Sequence, residues 1–154
     1  VSVEPDTICT DMDDLKIKRI FDAQIEKVPF VKGVNNHMGS LATADTRVMR
    51  IVCEGLKKRK LYFLDSYTAR DSVCAGMAAN YKVKFARRDI FLDNESDPEY
   101  IRQRLQELKD LARTRGYAIG IGHARKATLE VLKEEMPKLK KEGFRFVTLS
   151  ELLR

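Results

Sequence analysis

Short apolar runs alternate with segments of helical period along almost the whole chain, and this alternation restricts the fold more than any other feature. "FVKGV" (residues 30–34), "LYFL" (61–64), "VKFA" (83–86), "YAIGI" (117–121) and "FRFVTL" (144–149) carry the β-branched and aromatic residues of buried strands. Between them lie amphipathic stretches. Residues 13–28 open on Asp13 or Asp14 as N-cap and bring Leu15, Ile17, Ile20, Phe21 and Ile25 to one side before Pro29. Residues 43–59, capped by Thr43 or Asp45, do the same with Val48, Met49, Val52 and Leu56, and a third helix is predicted over 69–81. The clearest helix runs over 97–116: Asp97 caps it, Pro98 enters the first turn, and Gly116 closes it after Ile101, Leu105, Leu108 and Leu111. A helix over 127–143 should break or restart at Pro137. "SELL" begins a final helical turn. Five strands between helices predict an α/β fold with a mainly parallel sheet, in a single domain over residues 1–154.

The formal net charge is +6. Such a balance raises nucleic acid as a partner, tested by salt dependence of binding. The cations are dispersed, however, and "KKRK" and "PKLKK" sit near helix ends, where positive charge suits the macrodipole. A solvated surface is the reading adopted, with no nucleic acid as partner. No apolar run reaches membrane-spanning length, and no signal segment is visible. Cys9, Cys53 and Cys74 form no CxxC pair, which removes thiolate metal and redox motifs. Cys53 and Cys74 fall among apolar neighbours and read as small core residues.

In parallel α/β folds the site gathers beyond the carboxyl ends of the strands. The residues just past each predicted strand are Asn35-Asn36-His37, Asp65-Ser66, Arg88-Asp89 with Asp93-Asn94, Gly122-His123, and Thr148 with Ser150. All can hydrogen-bond or ionise, and they are expected to share one rim. Asn, Asp and Ser in such places also serve simply as turn formers and caps. The two histidines, each at a strand end with a glycine close by, are the strongest candidates for chemistry. No HExxH, GxSxG or Walker sequence occurs, and "GIGHAR" lacks the full GxGxxG.

"GVNNHMGSLATAD", "LYFLDSYT", "RRDIFLDN" and "AIGIGHA" together resemble the divergent polysaccharide deacetylase family, a branch of the NodB-like carbohydrate esterases. The resemblance implies an irregular (β/α) barrel, here expected to lack its first strands, so that the chain represents the C-terminal two-thirds of the domain. It implies metal-dependent hydrolysis of an acetyl group on an oligo- or polysaccharide, with zinc as the expected metal and an extracytoplasmic location in the cell envelope. By position, His37 corresponds to a metal ligand, with the remaining ligands expected upstream of Val1. His123, Asp65 and Asp89 take catalytic places, His123 as the proton donor. Glu4, Asn35, Asn36, Ser40, Arg88, Asp93 and Asn94 shape the substrate corner. Val1-Ser2-Val3 stands where the family carries "LPM", and Ala124 replaces the proline of the family's "GHP". The alternative is a non-catalytic protein that binds glycan or an envelope partner on the same fold. Neither sugar, acyl group nor oligomeric state follows from these residues.

Overall fold

A computed structural model describes residues 4–153. Two compact units divide them: one runs up to Arg87 and takes in the segment from Leu149 onward, and the other runs from Arg88 to Thr148.

In the first unit, α1 (Asp14–Glu26) is capped by Asp13, whose carboxylate accepts the Lys16 N–H at 2.7 Å. β1 (Gly33–Asn35) is followed by a short α2 (Ser40–Ala44) and then α3 (Thr46–Arg59). The predicted helix over 43–59 is interrupted at Asp45, which leaves helical geometry to accept the Val48 N–H at 2.9 Å and so caps α3. β2 (Tyr62–Asp65), α4 (Cys74–Tyr81) and β3 (Phe85–Arg87) complete the unit's regular core. The three strands form one parallel sheet in the order β1-β2-β3, with Asn35 beside Leu64 and Asp65 beside Arg87. Gly33 has no side chain because the Tyr62 ring lies where its Cβ would be. α4 starts five residues later than the periodicity predicts, because the Ser72 hydroxyl turns to the Asp65 carboxylate and accepts from Cys74 N–H.

α1, α3 and α4 close over this sheet around Ile17, Phe21, Val48, Met49, Leu56 and Phe63. Cys53 and Cys74 are fully buried in the same core, and burial pushes their thiols up to about 11 and about 12. They are inert packing residues, as expected. Leu15, placed by periodicity on the buried stripe of α1, is 58% exposed, while Ile17 and Phe21 carry the contact.

The second unit contains β4 (Ile90–Phe91), α5 (Pro98–Arg115), β5 (Gly120–Ile121) and α6 (Lys126–Lys141). β4 and β5 pair in parallel, Ile90 with Gly120 and Phe91 with Ile121. Ile90, Leu92, Leu105 and Leu139 form a small core on which Leu108, Leu132 and Phe144 pack. α5 begins and ends as read from the sequence, with Asp97 and Gly116 as its caps. α6 runs through Pro137 unbroken. Buried Val131 and Leu139 hold it on either side of the proline, so tertiary packing outweighs the lost hydrogen bond. A single turn, α7 (Leu149–Leu152), comes after this unit in the chain and belongs to the first.

Two strand expectations are corrected. Residues 144–148 form no strand, and Phe146 and Val147 are 40% and 42% exposed. An apolar run becomes a strand only where a neighbour's backbone meets it, and none among the described residues does. Conversely, the sequence reading places no strand at 90–91, yet Ile90–Phe91 pairs with β5. The described residues therefore make a mixed α/β fold with two small parallel sheets flanked by helices, and no closed barrel among them.

Two aliphatic positions of α1 provide a direct check. Ile17→Ala should destabilise by about 2–5 kcal/mol through its cavity, whereas Leu15→Ala should fall within about 0.5 kcal/mol of the parent. Chemical denaturation of both variants distinguishes them, and equal losses would contradict the observed helix orientation.

Candidate functional site

The ladder between β1 and β2 is only three residues long, and side chains extend it. Asn35 Nδ2 donates to the Leu64 carbonyl at 2.7 Å and to Ser66 Oγ at 2.8 Å. Asn36 Oδ1 accepts the Ser66 N–H at 2.7 Å, while its own carbonyl accepts from the Ser66 hydroxyl at 2.8 Å. The paired amides thus lock the chain after β2 to the chain after β1. They present His37 at the end of that lock. Asn36 Nδ2 is shielded from solvent and has no hydrogen-bond partner.

Two bulky residues beside this network hold left-handed backbone angles: Met38 at φ 50° and Tyr67 at φ 50°. Such angles are costly for these side chains and need support from their surroundings. Asp65 provides it for Tyr67. Its carboxylate, 1% exposed, accepts the Tyr67 N–H and the Ser72 hydroxyl, each at 2.7 Å. A cavity of about 240 Å³ opens in this unit. Glu4, Asn35, Asn36 and His37 line its polar part, and Phe21, Val34, Met49 and Phe63 its apolar wall. Ser40 is the exposed first residue of α2.

In the second unit the central group is Asp93, just after β4 and completely buried. Oδ2 accepts the His123 backbone N–H at 2.7 Å and the Thr128 hydroxyl at 2.7 Å, and Oδ1 lies 3.0 Å from His123 Nδ1. Arg125 donates to the Asp93 carbonyl at 2.9 Å. Gly122 permits this approach: a Cβ there would stand 3.2 Å from the Thr128 methyl and 3.6 Å from the carboxylate. Burial raises the Asp93 carboxyl's pKa, but the Thr128 hydroxyl and the His123 ring and backbone donors together outweigh it and hold the group below its usual range. Because a carboxylate can only accept, His123 Nδ1 carries the proton between them. The ring is thereby fixed through Nδ1, and the side chain is 42% exposed.

Asp89 lies at the other end of the β4–β5 ladder from Asp93. Its Oδ1 accepts from Arg115 and its Oδ2 from the Ile119 N–H, both at 2.8 Å. Arg88 stacks 3.7 Å over the Phe91 ring, and Asn94 is exposed in the following loop. Within the units, then, the structure gathers Glu4, Asn35, Asn36 and His37 at one cavity, and Asp93 with His123 in one hydrogen-bonded cluster. Thr128, which completes that cluster, was not singled out from the sequence. A hydroxyl in the first turn of a helix carries no sequence signal of its own.

A sequence profile of the divergent polysaccharide deacetylase family matches residues 2–153. The chain belongs to that family. It is 36% identical over 132 residues to the uncharacterized protein YibQ of Escherichia coli, covering 86% of this chain and 41% of that protein. It is 37% identical over 122 residues to an uncharacterized protein of Haemophilus influenzae, covering 79% and 43%. The crystal structure of an uncharacterized protein from Agrobacterium tumefaciens superposes with a TM-score of 0.94 at 25% identity, over 97% of this chain and 61% of that one. The chain spans about two-fifths of the length of the curated relatives it matches.

Family membership implies a metal, and the described residues do not by themselves fit one. No group of three or more His, Cys, Asp or Glu among them could hold an ion. A catalytic zinc needs three protein ligands. His37 follows two amides that are engaged with Ser66, while Asp65 is turned to Tyr67 and Ser72.

Asp93 also sets a pH dependence. Its folded pKa is depressed, so its stabilising contribution is complete above the unfolded value of about 4 and is lost as pH falls through the lower folded value. The difference in melting temperature between the parent and Asp93→Asn should shrink as pH falls below about 4. A pH-independent difference would contradict the charged, hydrogen-bonded state described here.

Proposed function

We propose that this chain is the α/β core of a deacetylase that removes acetyl groups from an oligo- or polysaccharide, with His123 as its general acid. The observation that carries the reading is the Asp93–His123–Thr128 cluster in a chain of this family. A buried carboxylate on Nδ1 fixes the imidazole's orientation, so that Nε2–H of the imidazolium faces the reacting group. When water adds to the acetyl carbon and the C–N or C–O bond breaks, the leaving amine or alkoxide needs a proton, and Nε2–H supplies it. Asp93 is a positioning residue that acts through His123. Asp65 and Asp89 do not act through His123: we assign Asp65 to fixing the turn after β2 and Asp89 to fixing the start of the β4–β5 ladder, where their oxygens hold backbone N–H groups and neighbouring side chains.

The finer architecture proposed is the irregular (β/α) barrel of the family, of which the two sheets described here are a portion. Glu4, Asn35, Asn36 and His37 form its sugar-facing cavity, with Ser40, Arg88 and Asn94 as further substrate contacts. A zinc held by His37 would have to draw its other ligands from residues outside those described. The location proposed is extracytoplasmic, and no helix among the described residues is long and apolar enough to cross a membrane.

Acetate release from N- and O-acetylated oligosaccharides tests the acid assignment. His123→Ala should lower kcat by about 10²- to 10⁴-fold, the range for loss of a well-placed acid, with little change in KM. Asp93→Asn should lower kcat as well and alter the pH profile, which a purely structural role would leave in place. Retained saccharide binding by a parent that releases no acetate would favour a binding protein instead. Calorimetry tests the metal: residues 1–154 alone should take zinc weakly, and His37→Ala should abolish that binding. Tight, stoichiometric binding that survives the substitution would refute His37 as a ligand.

A further inference from the structure

At the carboxyl edge of the β1-β2-β3 sheet, the Arg87 guanidinium lies 4.4 Å from the centroid of the Tyr67 ring. Arg87 ends β3 in register with Asp65 at the end of β2. The Asp65 carboxylate is nevertheless buried and turned to Tyr67 and Ser72. No carboxylate among the described residues pairs with Arg87, which is exposed. The ring beneath it is held in place at a cost: Tyr67 has a left-handed backbone, φ 50°, fixed by the Asp65 hydrogen bond.

That arrangement has a chemical consequence. Stacking occupies the flat face of a guanidinium and leaves the N–H donors around its edge directed outward. It also restricts the side chain beforehand, so less freedom is lost when a ligand binds. The edge of a guanidinium matches a carboxylate in a planar, two-point contact. Strands in a sheet lie about 4.8 Å apart, which places the end of β3 roughly 10 Å from the end of β1. Asn35, Asn36 and His37 border the cavity at that end of β1. One oligosaccharide can reach both.

We propose that the Arg87–Tyr67 pair binds the carboxylate of an acidic sugar, so that the preferred glycan carries uronic acid or another carboxylate-bearing unit beside its acetylated one. This rests on the glycan reading of the neighbouring cavity. It extends that reading by naming the charge of the ligand and the residue that recognises it.

The test is titration calorimetry of the full-length protein with an oligosaccharide that alternates N-acetylhexosamine and hexuronic acid, and with the same oligosaccharide after methyl esterification of its carboxylates. The parent should bind the acid form about tenfold more tightly, the yield of one hydrogen-bonded contact to a charged group. Arg87→Ala should bind both forms alike at the affinity of the ester, which also reports that the variant is folded. Arg87→Lys should keep part of the preference, and Tyr67→Phe all of it, because the ring alone supports the stack. Tyr67→Ala should lose most of it. His123→Ala should keep the preference while losing acetate release, which separates failure of this inference from failure of the acid assignment. Equal binding of both forms by the parent, an undiminished preference in Arg87→Ala, or no binding of either form would overturn it.

Discussion

Very short parallel strands need help to stay paired, and in this protein the help comes from polar side chains at their carboxyl ends. The strands are two to four residues long, so each ladder has few backbone hydrogen bonds. Asn35 and Asn36 bond the backbone and hydroxyl of Ser66 beyond β2. Asp65 bonds Tyr67 and Ser72, and Asp93 bonds the backbone of His123 beyond β5. A buried carboxylate without partners is costly, so the Asp65 and Asp93 contacts are enforced by burial as much as by pairing. The same groups that complete the sheets therefore determine where His37 and His123 stand.

This dual use explains what was legible in the sequence. The helices were, because caps such as Asp13, Asp45 and Asp97 and apolar spacing act locally. The parallel pairing followed from alternation. The strand "FRFVTL" and the break at Pro137 were misread because each depends on what lies alongside, which periodicity does not contain. β4 was missed for the converse reason: a two-residue strand is too short to show a period, and only its partner β5 defines it.

The site was partly legible. Asn35, Asn36, His37, Asp93 and His123 were all marked as strand-end residues. Their division of labour was not, because an Asp after a strand looks the same whether it faces substrate or is buried beneath a histidine. Asp93 is of the second kind, with no exposed surface. Thr128 and the strained Tyr67 were invisible for related reasons. A hydroxyl in a helix's first turn has no distinctive neighbours in sequence, and a backbone angle leaves no mark on residue identity.

The family assignment and the Asp93–His123 geometry meet in one claim: a fixed imidazole with a defined proton-bearing nitrogen. Nitrogen-15 NMR of the His123 ring measures this most directly. At a pH where the ring is neutral, the proton should reside on Nδ1, with Nε2 showing the shift of an unprotonated nitrogen, and Asp93→Asn should abolish that fixed preference. A neutral ring protonated at Nε2 in the parent, or one indifferent to Asp93→Asn, would contradict the account.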